Sequence, residues 1–359
     1  MRTWARSPDS GAYGILGYLS KTRHTKDWLV GKAWATHARH GRKVLAQLMH
    51  TLVLACLLLA LSACGGGSEG ATEAEAKTAK PAPAAAAASE ATGASYKMPD
   101  EVEVPELTEM GGAPDIDTSG VIDGWVAAQA ASGSRLKFQV ACGEMAYNYD
   151  LPSDGTPVLF PLNMGNGSYL FRIMENIEGS SYAELYSTTA EVKLSDQFAP
   201  FLTPNIFCSY TASSACVKKA RELVKGDDNE GQVVRDVCTF VAENVSYDFD
   251  KAKKLASSSG YIPDADETLK TKKGICFDYA CLSAAMLRSL GLPAQVVTGY
   301  VSPDDLYHAW NMVYIDGTWQ TVHFSVKPNT WSRCDVTFAS AGSGSTIGDG
   351  TKYTDRFYY

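Results

Sequence analysis

The sequence has few histidines and no cluster of residues typical of a metal site. It contains six histidines, and only His308 and His323 lie beyond residue 50. Its nine cysteines include no Cys-x-x-Cys spacing, and no acidic loop of the kind that binds calcium is recognisable. The sequence therefore predicts neither a metal site nor a bound cofactor.

Blocks of basic residues are also missing. The chain carries 32 Lys and Arg against 40 Asp and Glu, which gives a formal net charge of -8. Nucleic acid is therefore not an expected partner, because phosphate binding depends on clustered Lys and Arg.

Only one segment is apolar enough to enter a membrane. Residues 44–63 are apolar, end in small residues and follow Arg42 and Lys43, which is the pattern of a signal peptide. Leu61-Ser-Ala-Cys64 resembles the lipobox of bacterial lipoproteins, in which cleavage precedes the cysteine and its thiol is lipidated. The sequence thus predicts a lipid anchor on Cys64; the alternative is an ordinary transmembrane anchor with a chance cysteine.

With a lipid anchor on Cys64, residues 1–63 are predicted to be an N-terminal extension followed by a lipoprotein signal peptide. Residues 1–40 fit no signal-peptide pattern, and a start codon assigned too far upstream would account for them. The remainder is expected outside the cytoplasm, attached by lipid to the membrane on the bacterial surface.

Large apolar residues are absent from the stretch that follows. Residues 64–98 are mainly Ala, Glu, Thr, Lys, Pro and Ser, and no large apolar side chain occurs before Tyr96. Such a segment cannot bury enough surface to offset its ordering entropy. It is predicted to be a disordered tether.

Short alternating segments indicate a β-rich domain over residues 115–205. Apolar and polar residues alternate over 136–140, and further strands are expected over 169–174 and 182–194, with turn residues between them. Several short strands at this spacing favour a small sandwich-like domain.

Residues 212–359 change to helical periodicity and then to strands. Helices are expected over 215–224 and 231–245, and a third from Cys276 to about Gly291. Strands are expected over 294–298, 309–315 and 318–325, with Asp316-Gly317 as a hairpin turn between the last two. This order predicts an α+β domain in which helices pack on an antiparallel sheet.

Cys276 is the first candidate for chemistry, because it lies at the predicted N-terminus of an apolar helix. Free N–H groups and the helix dipole there favour a thiolate, and they can stabilise an oxyanion. A buried helical cysteine is more often inert packing, and that interpretation suits Cys281 and Cys238.

Two downstream residues supply what a cysteine nucleophile needs. His308 begins a predicted strand and could take the thiol proton, and Asp335, on the next predicted strand, could orient the imidazole. A lone histidine in a strand is more often structural, so the interpretation depends on the three residues meeting in space.

Five pieces of the sequence together resemble the transglutaminase-like superfamily. They occur in the family's order and cover roughly residues 215–340: Gly274–Cys276, Arg288–Ala294, Val297–Tyr300, His308–Asn311 and Asp335–Phe338. The resemblance implies a papain-like core with Cys276 as nucleophile, His308 as base and Asp335 as the orienting carboxylate.

One departure from the family pattern leaves the third position open. In many members the Asp follows the hairpin Trp closely, whereas here Trp319 is followed by His323 at that spacing. Either residues 320–333 extend the hairpin and delay the carboxylate to Asp335, which is preferred, or His323 occupies the third position.

The expected function is acyl transfer through a Cys-His-Asp triad. A thioester on Cys276 would give a peptidase or amidase with water and a cross-linker with an amine. The expected substrate is a peptide, a protein or a cell-wall peptide. The alternative is a catalytically inert scaffold or binding lipoprotein that kept the fold.

Export to an oxidising compartment would permit disulfides. Apart from Cys276, six cysteines remain after the predicted lipidation site, and Cys208 and Cys216 are the pair nearest in sequence. A disulfide between these two is left open.

Overall fold

The computed structural model describes residues 91–107, 110, 114–258, 260–301, 306–320, 325–326, 330–340 and 353–359. The predicted lipidation site Cys64, residues 64–90 of the predicted tether and His323 lie outside the described residues.

The described part of the chain contains strands and helices in a mixed order. The strands are β1 (Thr92–Gly93), β2 (Asp115–Asp117), β3 (Trp125–Gln129), β4 (Leu136–Cys142), β5 (Met145–Leu151), β6 (Val158–Pro161), β7 (Gly167–Glu178), β8 (Ser181–Val192), β9 (Ser246–Tyr247), β10 (Lys273–Gly274), β11 (Ala294–Val301), β12 (Leu306–Val313), β13 (Gly317–Gln320), β14 (Ser325–Val326), β15 (Ser332–Cys334) and β16 (Tyr353–Tyr358). The helices are α1 (Ala215–Leu223), α2 (Glu230–Asn244), α3 (Phe249–Leu255), α4 (Ala265–Thr271), α5 (Cys276–Ser289) and α6 (Val336–Ser340).

The first half folds into two antiparallel sheets with a shared apolar interior. Their strand orders are β5-β4-β7-β8 and β2-β3-β6. The alternating residues Leu136, Phe138 and Val140 of β4 point inward and are fully buried. Phe138 meets Phe160 of the other sheet at 4.5 Å between ring centroids, so the predicted sandwich-like β region is confirmed.

The second half packs helices on an antiparallel sheet of order β15-β12-β11-β16, as the α+β prediction requires. Helix α5 is its centre, and every residue from Cys276 to Ser289 is buried. Gly291 ends the helix at φ 79°, and the Leu292 N–H bonds back to the Leu287 carbonyl, which is the expected glycine cap.

Two short helices, α3 and α4, lie between α2 and α5, where no helix was predicted. An aspartate caps each of them: Asp248 accepts from the Lys251 N–H at 2.9 Å, and Asp264 accepts from the Glu267 N–H at 2.9 Å. The caps satisfy N–H groups that would otherwise lack partners, and so stabilise both helices. Each helix is too short to show an apolar period in the sequence.

The hairpin predicted at Asp316-Gly317 is wrong. Strand β12 pairs with β11 and β15, so both of its edges are occupied before the chain reaches Asp316. Strand β13 pairs instead with β1 and β14. The Asp316 N–H bonds to the Glu230 carboxylate at 2.7 Å, and this contact carries the chain from one sheet to another.

The predicted tether boundary at residue 98 is too late. Ala91 is buried, and Thr92 and Gly93 pair with Thr318 and Gly317. A Cβ on Gly231 would lie 2.4 Å from the Thr92 carbonyl oxygen, so this contact is close. Small residues without apolar side chains are held here by backbone pairing, which composition alone does not reveal.

One continuous cluster of buried side chains includes both the β-rich region and the helical region. The rings of Tyr147 and Tyr149 each contact the ring of Tyr359, and Tyr359 also meets Phe207 at 4.7 Å. None of the helices in the described residues is both long and apolar enough to cross a bilayer.

Candidate active site

Cys276 is the first residue of α5, and the two residues before it hold the helix start in place. The parallel pairing of β10 with β9 sets Gly274 opposite Tyr247, and the Asp248 N–H bonds to the Gly274 carbonyl at 2.9 Å. A Cβ on Gly274 would lie 2.6 Å from the Asp278 Cβ, so only glycine fits. The thiol is thus placed where unpaired helix N–H groups converge.

A buried carboxylate organises the same helix end. Asp278 is fully buried, and it accepts from the Ile275 N–H and from the Lys251 ammonium, each at 2.7 Å. The Tyr261 hydroxyl is a third donor to it. Burial and the carboxylate raise the pKa of Tyr261, so its hydroxyl keeps the proton that it donates.

His308 faces Cys276 from the sheet. It lies on β12 opposite Gly299 of β11 and is buried. Its Nε2 is 2.8 Å from the Asp335 Oδ2, and the Cys276 thiol lies within hydrogen-bonding reach of the imidazole. The Phe338 ring stacks on the imidazole at 4.6 Å and an angle of 18°, which limits rotation of the ring.

Asp335 is not on a strand, contrary to the prediction; it follows β15 and caps α6. Its Oδ1 accepts from the Phe338 N–H at 3.1 Å, and this bond begins a helical turn where a strand was expected. Its Oδ2 also accepts from the Tyr353 hydroxyl at 3.0 Å. The carboxylate that contacts His308 is therefore fixed through both oxygens.

The electrostatics of this group favour a protonated imidazole. Burial acts to lower the pKa of His308, but the Asp335 carboxylate and the adjacent Cys276 outweigh burial and raise it to about 10. An imidazolium next to a thiol stabilises the thiolate. The arrangement therefore places a positively charged imidazolium beside the Cys276 thiol.

Hydrogen bonds from the helix to the sheet keep these groups in register. The Asn311 amide donates to the Ala280 carbonyl at 2.9 Å and to the Gln295 carbonyl at 3.1 Å, which joins β12 to α5 and β11. The buried Arg288 guanidinium donates to the carbonyls of Thr203, Ala294 and Tyr359. Both residues belong to the motif pieces noted in the sequence.

The structure brings together Cys276, His308 and Asp335. Sequence reasoning missed the supporting residues Tyr353 and Lys251. Asp278 could have been found, because an acidic residue three positions after a helix cap is a known capping signal. Tyr353 offers no such signal, since it reaches Asp335 only through the pairing of β16 with β11.

The described cysteines are free thiols, and no disulfide joins Cys208 to Cys216, the pairing that the sequence left open. The Cys208 thiol is hydrogen-bonded to that of Cys281, whereas Cys216 contacts Asp266. Tertiary packing, and not separation in the sequence, determines which side chains lie next to each thiol. Among the described residues, no group of three or more His, Cys, Asp or Glu side chains is arranged to hold a metal ion.

Residues 217–324 match the family model of the transglutaminase-like superfamily. This segment is a transglutaminase-like domain. Cys276 and His308 lie inside the matched residues, and Asp335 lies beyond them.

Several known proteins are similar to the chain. A UPF0252 protein of Methanocaldococcus jannaschii is 33% identical over 150 residues, which cover 40% of this chain and 41% of that protein. Kyphoscoliosis peptidase of Mus musculus is 25% identical over 162 residues, which cover 42% of this chain and 22% of that protein. The alignments thus span less than half the length of either relative.

Among solved structures, a proposed cysteine protease of Cytophaga hutchinsonii aligns with 69% of this chain and 84% of its own. The identity is 16% and the TM-score is 0.30.

Proposed function

We propose that the protein is a thiol-dependent acyl-transfer enzyme that acts on amide bonds of peptides or proteins. The observation that carries the proposal is the contact of one buried imidazole with both a carboxylate and a helix-terminal thiol. Transglutaminase-like sequence over residues 217–324 supports it.

The proposed reaction has two steps. The Cys276 thiolate attacks the amide carbonyl carbon, and N–H groups at the start of α5 stabilise the oxyanion. The tetrahedral intermediate collapses as the C–N bond breaks, and the His308 imidazolium gives its proton to the leaving amine. Asp335 keeps the ring oriented and stabilises its positive charge in the resting state.

The acceptor in the second step decides the product. His308, now neutral, takes a proton from water or from an amine as it attacks the thioester, and the Cys276 thiolate is released. Water gives a carboxylate, as in a peptidase or amidase, and an amine gives a new amide. We favour hydrolysis, and the peptidase among the relatives supports it.

We also propose that the enzyme is held on the bacterial surface by lipid on Cys64. The lipobox-like Leu61-Ser-Ala-Cys64 after an apolar run supports this location. From that position the accessible substrates are surface proteins and cell-wall peptides.

Alkylation of the intact protein tests the enzymatic assignment. The protein is treated with low-dose iodoacetamide across a range of pH, and labelled peptides are mapped by mass spectrometry. Cys276 should react faster than a free model thiol at neutral pH, because the adjacent imidazolium and the N-terminus of α5 favour attack by its sulfur. Cys281, buried in the same helix, serves as an internal control and should stay unlabelled.

Labelling of Cys276 that is absent, or no faster than that of the model thiol, would overturn the enzyme proposal. It would support the inert scaffold instead.

A further inference from the structure

An aromatic pair borders the Cys276 end of α5. Tyr247 is the parallel partner of Gly274, two residues before the thiol. The chain then begins α3 at Phe249, and the rings of Tyr247 and Phe249 meet edge to face at 4.9 Å and 62°. The pair is thus attached to the backbone that positions the nucleophile.

Phe249 is unusually open to solvent. Its exposure is 77%, the highest of any large hydrophobic residue in the described part of the chain. Helix capping does not account for this exposure, because the side chain of the preceding Asp248 caps α3. Its exposed apolar surface is therefore unexplained by the fold.

Two of the charged side chains near the pair have partners within the protein. The Lys251 ammonium is bound to the buried Asp278 and lies 4.6 Å from the Tyr261 ring centroid. The Asp248 carboxylate caps α3 through the Lys251 N–H. With these charges engaged, the surface offered by the two rings suits an uncharged, apolar group better than an acidic one.

We propose that Tyr247 and Phe249 form a subsite that binds an aromatic side chain of the substrate next to the scissile amide. The inference rests on the proposed function, because it takes Cys276 as the nucleophile. Aromatic rings prefer edge-to-face or offset contacts with one another, so an aromatic group gains more here than its area alone would give. The enzyme then selects peptides by an aromatic residue near the cleaved bond.

Two alkylating probes test this subsite in the intact protein. The rate constants for Cys276 are measured with iodoacetamide and with N-benzyliodoacetamide, and their ratio is divided by the same ratio for glutathione. The normalised preference for the benzyl probe should be about threefold or more in the unchanged protein. In Phe249→Ser it should fall to about one, while the iodoacetamide rate stays within about twofold.

Two matched variants separate the subsite from general effects. Phe249→Trp keeps an aromatic ring and should keep the preference. Ile177→Ser removes another exposed apolar side chain, 69% exposed at the end of β7, and should also keep it. A serine at either exposed position leaves the buried core unchanged.

The outcomes distinguish the two proposals. A reactive Cys276 with no benzyl preference, or with a preference unchanged in Phe249→Ser, overturns the subsite alone. A Cys276 that reacts with neither probe overturns the proposed function and the subsite with it.

Discussion

At the residue scale, the open question is which residue orients the His308 imidazole as the third member of the triad. Asp335 contacts His308 at 2.8 Å and is itself held by Tyr353 and by the Phe338 N–H. A carboxylate stabilises the imidazolium that forms beside a thiolate, which a neutral histidine does less well. We therefore propose Asp335, rather than His323, for this role.

We predict that Asp335→Asn lowers the alkylation rate of Cys276 at least about tenfold, because the amide cannot stabilise the imidazolium. His323→Ala should change that rate by less than about threefold, or roughly 0.7 kcal/mol on the barrier. Both rates are measured by quenching the alkylation reaction at a series of times and detecting the product by mass spectrometry. The reverse order of effects would assign the third position to His323.

Asp335→Asn should also change how the free energy of unfolding depends on pH. The pKa of His308 is raised from 6.5 to about 10 in the folded state. Its protonated form therefore stabilises the fold fully below about pH 6.5, and this contribution is lost as the pH rises through about 10. Urea unfolding at several pH values should show a fall over this window that is smaller in Asp335→Asn.

At the element scale, the start of α5 depends on a close approach between strand β10 and the helix. A Cβ on Gly274 would lie 2.6 Å from the Asp278 Cβ, and the Asp278 carboxylate accepts a hydrogen bond from the Ile275 N–H inside the same turn. The position of the thiol is therefore tied to the first helical turn.

We predict that Gly274→Ala lowers the free energy of unfolding by about 1–3 kcal/mol, because the added methyl group would overlap the Asp278 Cβ. Alkylation of Cys276 should also slow as the turn shifts. Gly133→Ala is the matched control: a Cβ there has no heavy atom within 4 Å, so the change should stay within about 0.5 kcal/mol. Equal effects of the two substitutions in urea unfolding would contradict the close approach.

The strands and helices that could be predicted from the sequence are those with a regular pattern of buried residues. The strand over residues 136–140 was predicted because one face of β4 is buried and the other is not. Helix α5 was predicted from its apolar run and its terminal glycine. Strands β9 and β10 have two residues each and carry no period, so only the fold reveals them.

At the scale of the whole molecule, the two predicted folded regions share one core. Tyr359, which follows β16, lies among Tyr147, Tyr149 and Phe207. Arg288 of α5 binds the Tyr359 carbonyl at 2.7 Å. The sheet that carries His308 is thus packed against both regions.

The proposed anchor is a property of the whole molecule and has its own test. Expressed in a bacterial host, the protein should partition into detergent and gain the mass of a diacylglyceryl group. Cys64→Ala should abolish the modification and leave the chain uncleaved or released, because no thiol remains to be lipidated. Cys56→Ala, within the apolar run but outside the lipobox, should behave like the unchanged protein. Unchanged protein that is soluble and unlipidated would contradict the anchor.

The sequence by itself determined the fold class and the apolar helix that begins at Cys276, and it gave Cys276, His308 and Asp335 as candidate site residues. These depend on local period and motif spacing, which short-range sterics and burial impose. Only the tertiary structure decided that Asp335 caps α6, that Tyr353 holds it, that Cys208 lies beside Cys281 and that β13 leaves the sheet of β12. Such contacts join residues far apart in the chain. Their partners are fixed by which strand edges and buried polar groups remain unpaired once the core has formed.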